Sequence, residues 1–312
     1  MAPEFVASDF KTMKKFFKIA AVVLATLAVV AALAFFGAAW LGERKLARTV
    51  DVRVVPVPYA KDAAALKLGK YLFQSRGCSE CHGDDGRGIA FIDAGAMYVK
   101  SPNITRGAGG VVSDYNEGDW VRAIRHGVNP KGHALLIMPG EDYNRMNDAD
   151  FAALVAYARS LAPVAGESAV IRLPMMVKAL YGVGAIKDSS EKIDHRKPPS
   201  QPVAPTPSAA YGAYVANMCV GCHGAAFSGG TIPGSPPDWP AAANLTPGEG
   251  SAMARYDTAD KFIAMMRTGK RPDGTGVSKV MPFMSLRNLN DVDLNAMHAY
   301  LKTLAAKKTA ER

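Results

Sequence analysis

Every cysteine in the chain belongs to one of two matching five-residue patterns, which have two cysteines separated by two residues and followed at once by a histidine. They are Cys78-Ser79-Glu80-Cys81-His82 and Cys219-Val220-Gly221-Cys222-His223. Cysteines at this spacing bracket one helical turn, so two sulfurs can bond the two vinyl groups of one haem while the adjacent histidine is directed at the iron. The patterns therefore predict two covalently bound haem c groups, with His82 and His223 as proximal iron ligands.

Two other uses of paired cysteines fit these patterns less well. A zinc site also takes cysteine and histidine at metal-ligand spacing. A redox-active disulfide needs the two cysteines but no histidine beside them. Neither explains why two copies, both predicted to be exported, are each followed by a methionine placed to complete the coordination of an iron.

Each half of the chain offers a sixth iron ligand. Met138 and Met281 are each followed by proline and precede the last predicted helix of their half. A thioether opposite histidine closes the coordination sphere and raises the reduction potential, which suits electron transfer. We expect these two methionines to be the distal ligands, with Met97 and Met284 as rivals that have no counterpart in the other half. The alternative is a core role, since methionine fills gaps and the chain has 14.

Other candidate ligands are weaker. His126 and His133 precede Met138 and could replace it, but the aligned positions in the second half are threonines, so we expect surface or haem-edge roles. Arg125 and Arg267 align between the halves. They are either contacts for haem propionates or part of a solvated helix face.

The two halves repeat one unit. Asn103-Ile104-Thr105 aligns with Asn244-Leu245-Thr246 in the register set by the cysteine patterns, and Trp120–Gly127 aligns with Phe262–Gly269 after one insertion. Apolar spacing and asparagine caps predict the same last helix in each half, and another helix precedes each cysteine pattern. Little in either half is typical of strands, so we expect an all-α fold.

The N-terminus resembles a membrane anchor in composition. Ile19 to Leu41 contains no charge and is long enough to cross roughly 30 Å of hydrocarbon. Lysines precede it, so residues 1–18 should stay cytoplasmic and the chain after Leu41 should be exported. A cleavable signal peptide is the alternative, although its apolar region usually has only about 7–15 residues. We expect a retained anchor.

A proline-rich stretch separates the two repeats. Five prolines fall between Pro198 and Pro207, which predicts a stiff, extended linker. Upstream, Leu173–Ile186 is apolar but interrupted by Lys178 and too short to span a bilayer. We expect it to form a helix packed on the first repeat, and a docking or membrane-surface patch is the alternative. The predicted segments are 1–18, a transmembrane anchor at 19–41, a first domain at 59–165, a linker region at 166–208 and a second domain at 209–306.

The formal net charge of +9 is spread along the chain. Nucleic-acid binding needs basic residues clustered on one face, often with interleaved aromatic residues. Here the lysines lie near the predicted anchor or among acidic residues. We therefore expect no nucleic-acid partner.

The stretch Met97–Val164 contains SPNIT, DWVRAIRHG and IMPGEDYNRMNDADFAALVAYARSL. With these motifs the chain resembles the class I cytochrome c domains of the multihaem cytochrome subunits that serve bacterial membrane-bound periplasmic dehydrogenases for alcohols, aldehydes and gluconate. The likeness extends through the linker into the second half. It implies two tandem class I cytochrome c domains, with Cys78, Cys81, Cys219 and Cys222 as thioether positions. Those subunits typically carry three haem-attachment patterns and this chain has two, so no role of a third haem carries over.

The resemblance implies a dihaem electron carrier in the bacterial inner membrane with its haem domains in the periplasm. It would accept electrons from a periplasmic dehydrogenase and pass them to a quinone, a cytochrome or a terminal oxidase. One alternative is a dihaem subunit of a haem-copper oxidase, or a carrier to it, since this role uses the same motifs. A dihaem peroxidase is the second alternative, but it needs an open iron position, whereas both halves have a Met-Pro pair. We expect an electron-transfer protein and no catalytic residues of its own.

Overall fold

A computed structural model describes residues 4–236, 238–248 and 250–311, so residues 1–3 of the predicted cytoplasmic segment lie outside the described residues. The chain forms two compact units. One contains the residues up to Ala47 together with Pro174–Ile186, and the other contains Arg48–Leu173 and Lys187–Arg312. Both cysteine patterns lie in the second unit, so it holds both predicted haem domains.

The first unit consists of two helices, α1 (Glu4–Leu46) and α7 (Met175–Gly182). The part of α1 from Met13 to Leu46 is long and apolar enough to cross a membrane, and its most apolar stretch is not buried. Two glycines allow the backbones of these helices to touch. A Cβ at Gly42 would lie 2.1 Å from the Lys178 carbonyl oxygen, and a Cβ at Gly182 would lie 2.1 Å from the Ala38 carbonyl oxygen. The expected packing of this segment on the first repeat was wrong, since α7 packs on α1.

In the second unit, the first repeat contains seven helices and strands up to and including its last long helix. A third strand and a short helix follow. These elements are α2 (Ala63–Ser75), α3 (Cys78–His82), β1 (Ala90–Ala94), β2 (Met97–Lys100), α4 (Glu117–His126), α5 (Gly140–Tyr143), α6 (Asp148–Ser160), β3 (Val170–Arg172) and α8 (Ser189–Lys192). The second repeat contains α9 (Ala209–Ala216), α10 (Val220–His223), α11 (Ala259–Thr268), α12 (Phe283–Leu286) and α13 (Asp291–Thr303), with short 3₁₀ turns at Asn217–Cys219 and Ala252–Arg255. The helical architecture agrees with the all-α prediction.

A small antiparallel sheet in the order β1-β2-β3 is the element that the sequence analysis missed. β1 and β2 form a hairpin in which Ala94 pairs with Met97, so the loop has two residues. Gly95 has φ +59 there, and a two-residue hairpin loop needs such positive φ values. The sheet adds to the first repeat and leaves the helical core in place.

Each repeat is held by the same crossing of its first and last long helices. In the first repeat a Cβ at Gly69 would lie 2.0 Å from the Ala153 carbonyl oxygen, and in the second a Cβ at Gly212 would lie 1.9 Å from that of Ala296. The side chain of Asn147 caps α6 and that of Asn290 caps α13, as predicted. Each crossing closes over an apolar core that includes Phe73 and Phe151 in the first repeat, and Leu294 and Met297 in the second.

The two repeats contact each other through the same positions on both sides. The Tyr71 hydroxyl donates to Asp293 Oδ2 at 2.6 Å, and the Tyr214 hydroxyl donates to Asp150 Oδ2 at 2.5 Å. Each tyrosine lies two residues after the glycine of its helix crossing, and each aspartate is the third residue of the last helix. The same two positions thus contact each other twice, with the roles of the two repeats exchanged. This is the property of an isologous interface, so the repeats face each other with pseudo-twofold symmetry.

A second pair of contacts joins each cysteine pattern to the other repeat. The Ser285 N–H donates to Glu80 Oε1 at 2.7 Å, and the Gly221 N–H donates to Asp142 Oδ1 at 3.0 Å. Glu80 and Gly221 are both the third residue of a cysteine pattern. Ser285 and Asp142 both lie in the short helix that follows a Met-Pro pair. Each predicted haem-attachment segment is therefore in direct contact with the methionine-bearing region of the other repeat.

Candidate haem sites

The first repeat encloses a cavity of about 580 Å³ next to its cysteine pattern. Cys78, His82 and Met138 all line it, so the fold brings together residues that are far apart in the sequence. The remaining wall is mostly apolar and includes Phe73 and Leu154. This volume lies in the range of about 300–1,000 Å³ that is typical of cofactor pockets.

The second repeat has the same arrangement in a narrower space. Cys219, His223 and Met281 line a cavity of about 120 Å³, again with a mainly apolar wall. This cavity is smaller than that of the first repeat but is lined by the same three kinds of side chain.

Each pattern histidine has one ring nitrogen fixed by a backbone carbonyl. His82 Nδ1 lies 3.2 Å from the Pro102 carbonyl oxygen, and His223 Nδ1 lies 2.8 Å from that of Ala243. A carbonyl oxygen only accepts hydrogen bonds, so Nδ1 carries the proton and Nε2 keeps its lone pair for a metal. Burial lowers the pKa of both imidazoles, which favours the neutral form that ligates iron.

The repeated asparagines hold these carbonyl groups in place. Asn103 follows Pro102 and donates from Nδ2 to the Val164 carbonyl oxygen at 2.8 Å, while Asn244 follows Ala243 and donates to that of Lys307 at 2.7 Å. Both side chains are almost completely buried. In the sequence these asparagines indicate only the register of the repeat. The structure gives them a further role in orienting the two histidines.

The four cysteines are free in the structure. Burial raises the pKa of the Cys78 and Cys219 thiols to about 12, and that of Cys81 to about 11. The described part of the chain also contains no cluster of three or more histidine, cysteine or acidic side chains able to hold a metal ion.

The four candidate methionine ligands differ in whether they line a cavity. Met138 and Met281 line the two cavities, whereas Met97 lies on β2 and is absent from the described lining. Met284 is 62% exposed, and its sulfur accepts a hydrogen bond from Arg287 Nη2 at 3.0 Å. The two rivals therefore lie away from the cavities.

A buried donor in the first cavity suits a haem propionate. Trp120 is 4% exposed and lines the cavity, and its indole Nε1 has no hydrogen-bond partner among the described residues. An unpartnered buried donor is costly, and a bound carboxylate would satisfy it. Phe262 lines the second cavity at the aligned position, so this donor belongs to the first site only. Apolar walls, neutral histidines and this donor together fit a haem.

The two aligned arginines form equivalent ion pairs in the two repeats. Arg125 Nη2 donates to Asp148 at 2.8 Å, and Arg267 Nη2 donates to Asp291 at 2.8 Å. Each ion pair ties the helix of the arginine to the start of the last helix of its repeat. Arg125 is buried rather than part of a solvated face, and its Nε has no hydrogen-bond partner among the described residues, so its contact with a haem propionate stays a prediction.

The remaining histidines lie outside the described cavity linings. His126 Nδ1 lies 2.9 Å from Nδ1 of His195, and His133 Nδ1 lies 3.3 Å from the Arg48 carbonyl oxygen. The prediction that His126 and His133 are not iron ligands agrees with these positions.

Asp142, at the contact with the second cysteine pattern, has a strongly shifted pKa. Burial, followed by repulsion from the Glu141 carboxylate, raises it from 3.8 to about 8. The folded chain thus retains a proton that the unfolded chain releases, so stability falls as the pH rises from about 4 to about 8. We expect Asp142→Asn to be more stable than the natural chain at pH 8, with a difference that shrinks towards pH 5 and disappears below about pH 4.

Urea unfolding of the haem-loaded protein across this pH range measures the difference. Asp260→Asn is the matched control, because Asp260 is an exposed carboxylate. The same pH dependence in D142N and the natural chain would contradict the prediction.

Comparison with known proteins places these sites in context. The family model for cytochrome c matches residues 66–162 and 209–305, one match for each repeat. The chain is 27% identical over 278 residues to the fructose dehydrogenase cytochrome subunit of Gluconobacter japonicus, which covers 81% of this chain and 55% of that protein.

Two further relatives are of the same kind. The chain is 28% identical over 277 residues to the gluconate 2-dehydrogenase cytochrome c subunit of Pantoea cypripedii, covering 80% of this chain and 61% of that protein. It is 24% identical over 295 residues to the cytochrome c subunit of the quinone-type alcohol dehydrogenase of Gluconobacter oxydans, covering 84% and 60%. The chain thus spans little more than half the length of these relatives.

Proposed function

The chain belongs to the cytochrome c family, and from this we propose that it is a membrane-anchored dihaem cytochrome that carries electrons from a periplasmic dehydrogenase to the respiratory chain. The observation that carries this proposal is the similarity of about four-fifths of the chain to cytochrome subunits of fructose, gluconate and alcohol dehydrogenases. Covalently bound haem c supplies the one-electron chemistry in each domain. Residues 59–165 and 209–306 are the proposed haem domains.

We assign the haem-binding residues in the same way for both domains. Cys78 and Cys81 hold the first haem, with His82 and Met138 as axial ligands. The equivalent residues of the second domain are Cys219, Cys222, His223 and Met281. Six of these eight residues line the two cavities, and the other two, Cys81 and Cys222, directly precede the cavity-lining histidines, which supports this assignment. Histidine with methionine fills both axial positions, which favours electron transfer over binding of external ligands.

The interface between the domains supports electron transfer within one chain. Glu80 of the first cysteine pattern and Gly221 of the second each bond to the other domain. The two haem-attachment segments therefore lie on either side of one interface. An electron accepted by either haem can be passed across this interface without a second docking event.

Helix α1 supports anchoring in the bacterial inner membrane, with the haem domains in the periplasm. Most of its apolar side chains between Met13 and Leu41 are exposed, and Trp40 lies under the Arg44 guanidinium, 4.8 Å from the ring centroid. Aromatic and basic residues commonly occupy the membrane interface. Met176 and Val183 of the segment packed against α1 are also exposed, which extends the apolar surface at that end.

We expect the natural protein to stay in the membrane fraction after washing with alkaline carbonate, because an uncleaved span is held by burial of its apolar surface. N-terminal sequencing of the mature protein checks the same point. A mature chain that starts after residue 41 and is released by carbonate would contradict a retained anchor.

The dehydrogenase partner is tested in native membranes that contain the tagged protein. Fructose, gluconate and ethanol are added one at a time while haem reduction is followed by absorbance, and mild detergent extraction then identifies the subunits that co-purify. Reduction by one substrate together with recovery of the matching dehydrogenase supports the proposal. Recovery of oxidase subunits, with no reduction by any of the three substrates, would contradict the proposal and indicate a role beside a terminal oxidase.

A further inference from the structure

The pseudo-twofold interface contains one ion pair that breaks its symmetry. Arg76 Nη2 of the first domain lies 2.8 Å from Asp293 Oδ2 of the second, and the two side chains are 6% and 0% exposed. Arg76 stands two residues before the first cysteine of its pattern. Asn217 occupies the equivalent place in the second domain, where its amide donates to the Asp142 carbonyl oxygen at 3.1 Å.

Both carboxylate oxygens of Asp293 accept hydrogen bonds from surrounding groups. Oδ2 also accepts from the Tyr71 hydroxyl at 2.6 Å, and Oδ1 accepts from the Tyr211 hydroxyl at 2.8 Å. Arg76 is held as well, since its carbonyl oxygen accepts from the Tyr143 hydroxyl at 2.7 Å. A charge pair with this many hydrogen bonds has a fixed position rather than a mobile one.

The pair lies within electrostatic range of both haem-attachment sites. Burial raises the pKa of the Cys78 and Cys219 thiols, and the positive charge of Arg76 lowers it. Solvent screens a buried charge far less than an exposed one. Asp150, the counterpart of Asp293, is paired with Tyr214 and is partly exposed. The second side of the interface thus has a more screened carboxylate and an asparagine in place of the arginine.

We propose that the Arg76–Asp293 pair makes the two haems unequal, because this buried cation stands two residues before the first cysteine pattern, whereas the uncharged Asn217 stands at that place before the second. The proposal rests on the dihaem function proposed above. Reduction adds an electron to the iron, so a nearby cation raises the reduction potential and a nearby anion lowers it. Arg76 is therefore expected to favour reduction of the first haem.

The test is a potentiometric titration of the haem-loaded full chain. Arg76→Gln leaves Asp293 unpaired and is expected to shift the potential of the first haem downwards. Asp293→Asn leaves Arg76 unpaired and is expected to shift it upwards. The double variant should shift less than either single variant, and Arg76→Lys, which keeps the charge, should stay close to the natural protein.

Asp150→Asn is the matched control, because it removes the pseudo-equivalent carboxylate, and it should shift the potentials less than D293N. A purely structural role for the pair would give shifts of the same sign in R76Q and D293N, or none. Either result, in variants that retain two haems with unchanged low-spin spectra, would overturn the inference alone. Fewer than two haems in the natural chain would overturn the dihaem function itself. If R76Q does not fold, the direction of the D293N shift still decides.

Discussion

The Gly69→Ala variant is expected to lose the fold of the first haem domain at temperatures where the natural protein is stable. Its new Cβ would lie 2.0 Å from the Ala153 carbonyl oxygen and 2.7 Å from Tyr157 Cβ. Backbone atoms of a packed helix cannot yield as the end of a side chain can, so α2 and α6 must separate. We expect a loss of about 3 kcal/mol or more in the free energy of unfolding.

Urea unfolding of the haem-loaded protein, followed by haem absorbance, measures this loss. Gly212→Ala should destabilise the second domain in the same way, because its Cβ would lie 1.9 Å from the Ala296 carbonyl oxygen. Gly276→Ala is the control, since a Cβ there meets no atom within 4 Å. If G69A were as stable as G276A, the close crossing of α2 and α6 would be wrong.

The Met138→Ala variant is expected to change the first haem from a closed electron-transfer site to one that binds external ligands. Loss of the thioether leaves one iron position free, and the potential of that haem falls by part of the roughly 0.8 V range that axial ligands control. Covalent attachment should be unaffected, because Cys78 and Cys81 remain. The measurements are carbon monoxide binding to the reduced protein and potentiometric titration.

Met281→Ala should give the same result at the second haem. Met284→Ala is the matched control, since Met284 is exposed and follows Met281 by three residues. The natural protein should bind carbon monoxide slowly at both haems. Rapid binding by the natural protein, or a spectrum of M138A identical to it, would show that Met138 is not the distal ligand.

The candidate haem-binding residues can be proposed from the sequence alone because local spacing carries their chemistry. Two cysteines, a histidine and a repeated Met-Pro pair are visible without knowledge of the fold, and the helix caps at Asn147 and Asn290 follow from backbone hydrogen bonding. The role of Asn103 was not predictable. It depends on a carbonyl oxygen at Val164, and no local rule links residues so far apart in the sequence.

The same reasoning explains the other differences from prediction. Segment 173–186 has an apolar composition that fits several neighbours, and only the close approach at Gly42 and Gly182 selects α1. The contact between Arg76 and Asp293 joins two domains and has no counterpart in the repeat alignment. Alignment of the repeats shows the residues that they share. It cannot show a contact that only one of them makes.

The interface between the domains also bears on how such a chain arises. A dimer of identical single-domain cytochromes must repeat every interface side chain, so its two haems are equal by symmetry. When gene duplication and fusion join two copies, each side can change alone, and Arg76 and Asn217 are different residues at equivalent positions. Fusion also makes the association independent of protein concentration. A fused chain can thus hold two unequal haems at a fixed separation, which a symmetric dimer of identical copies cannot.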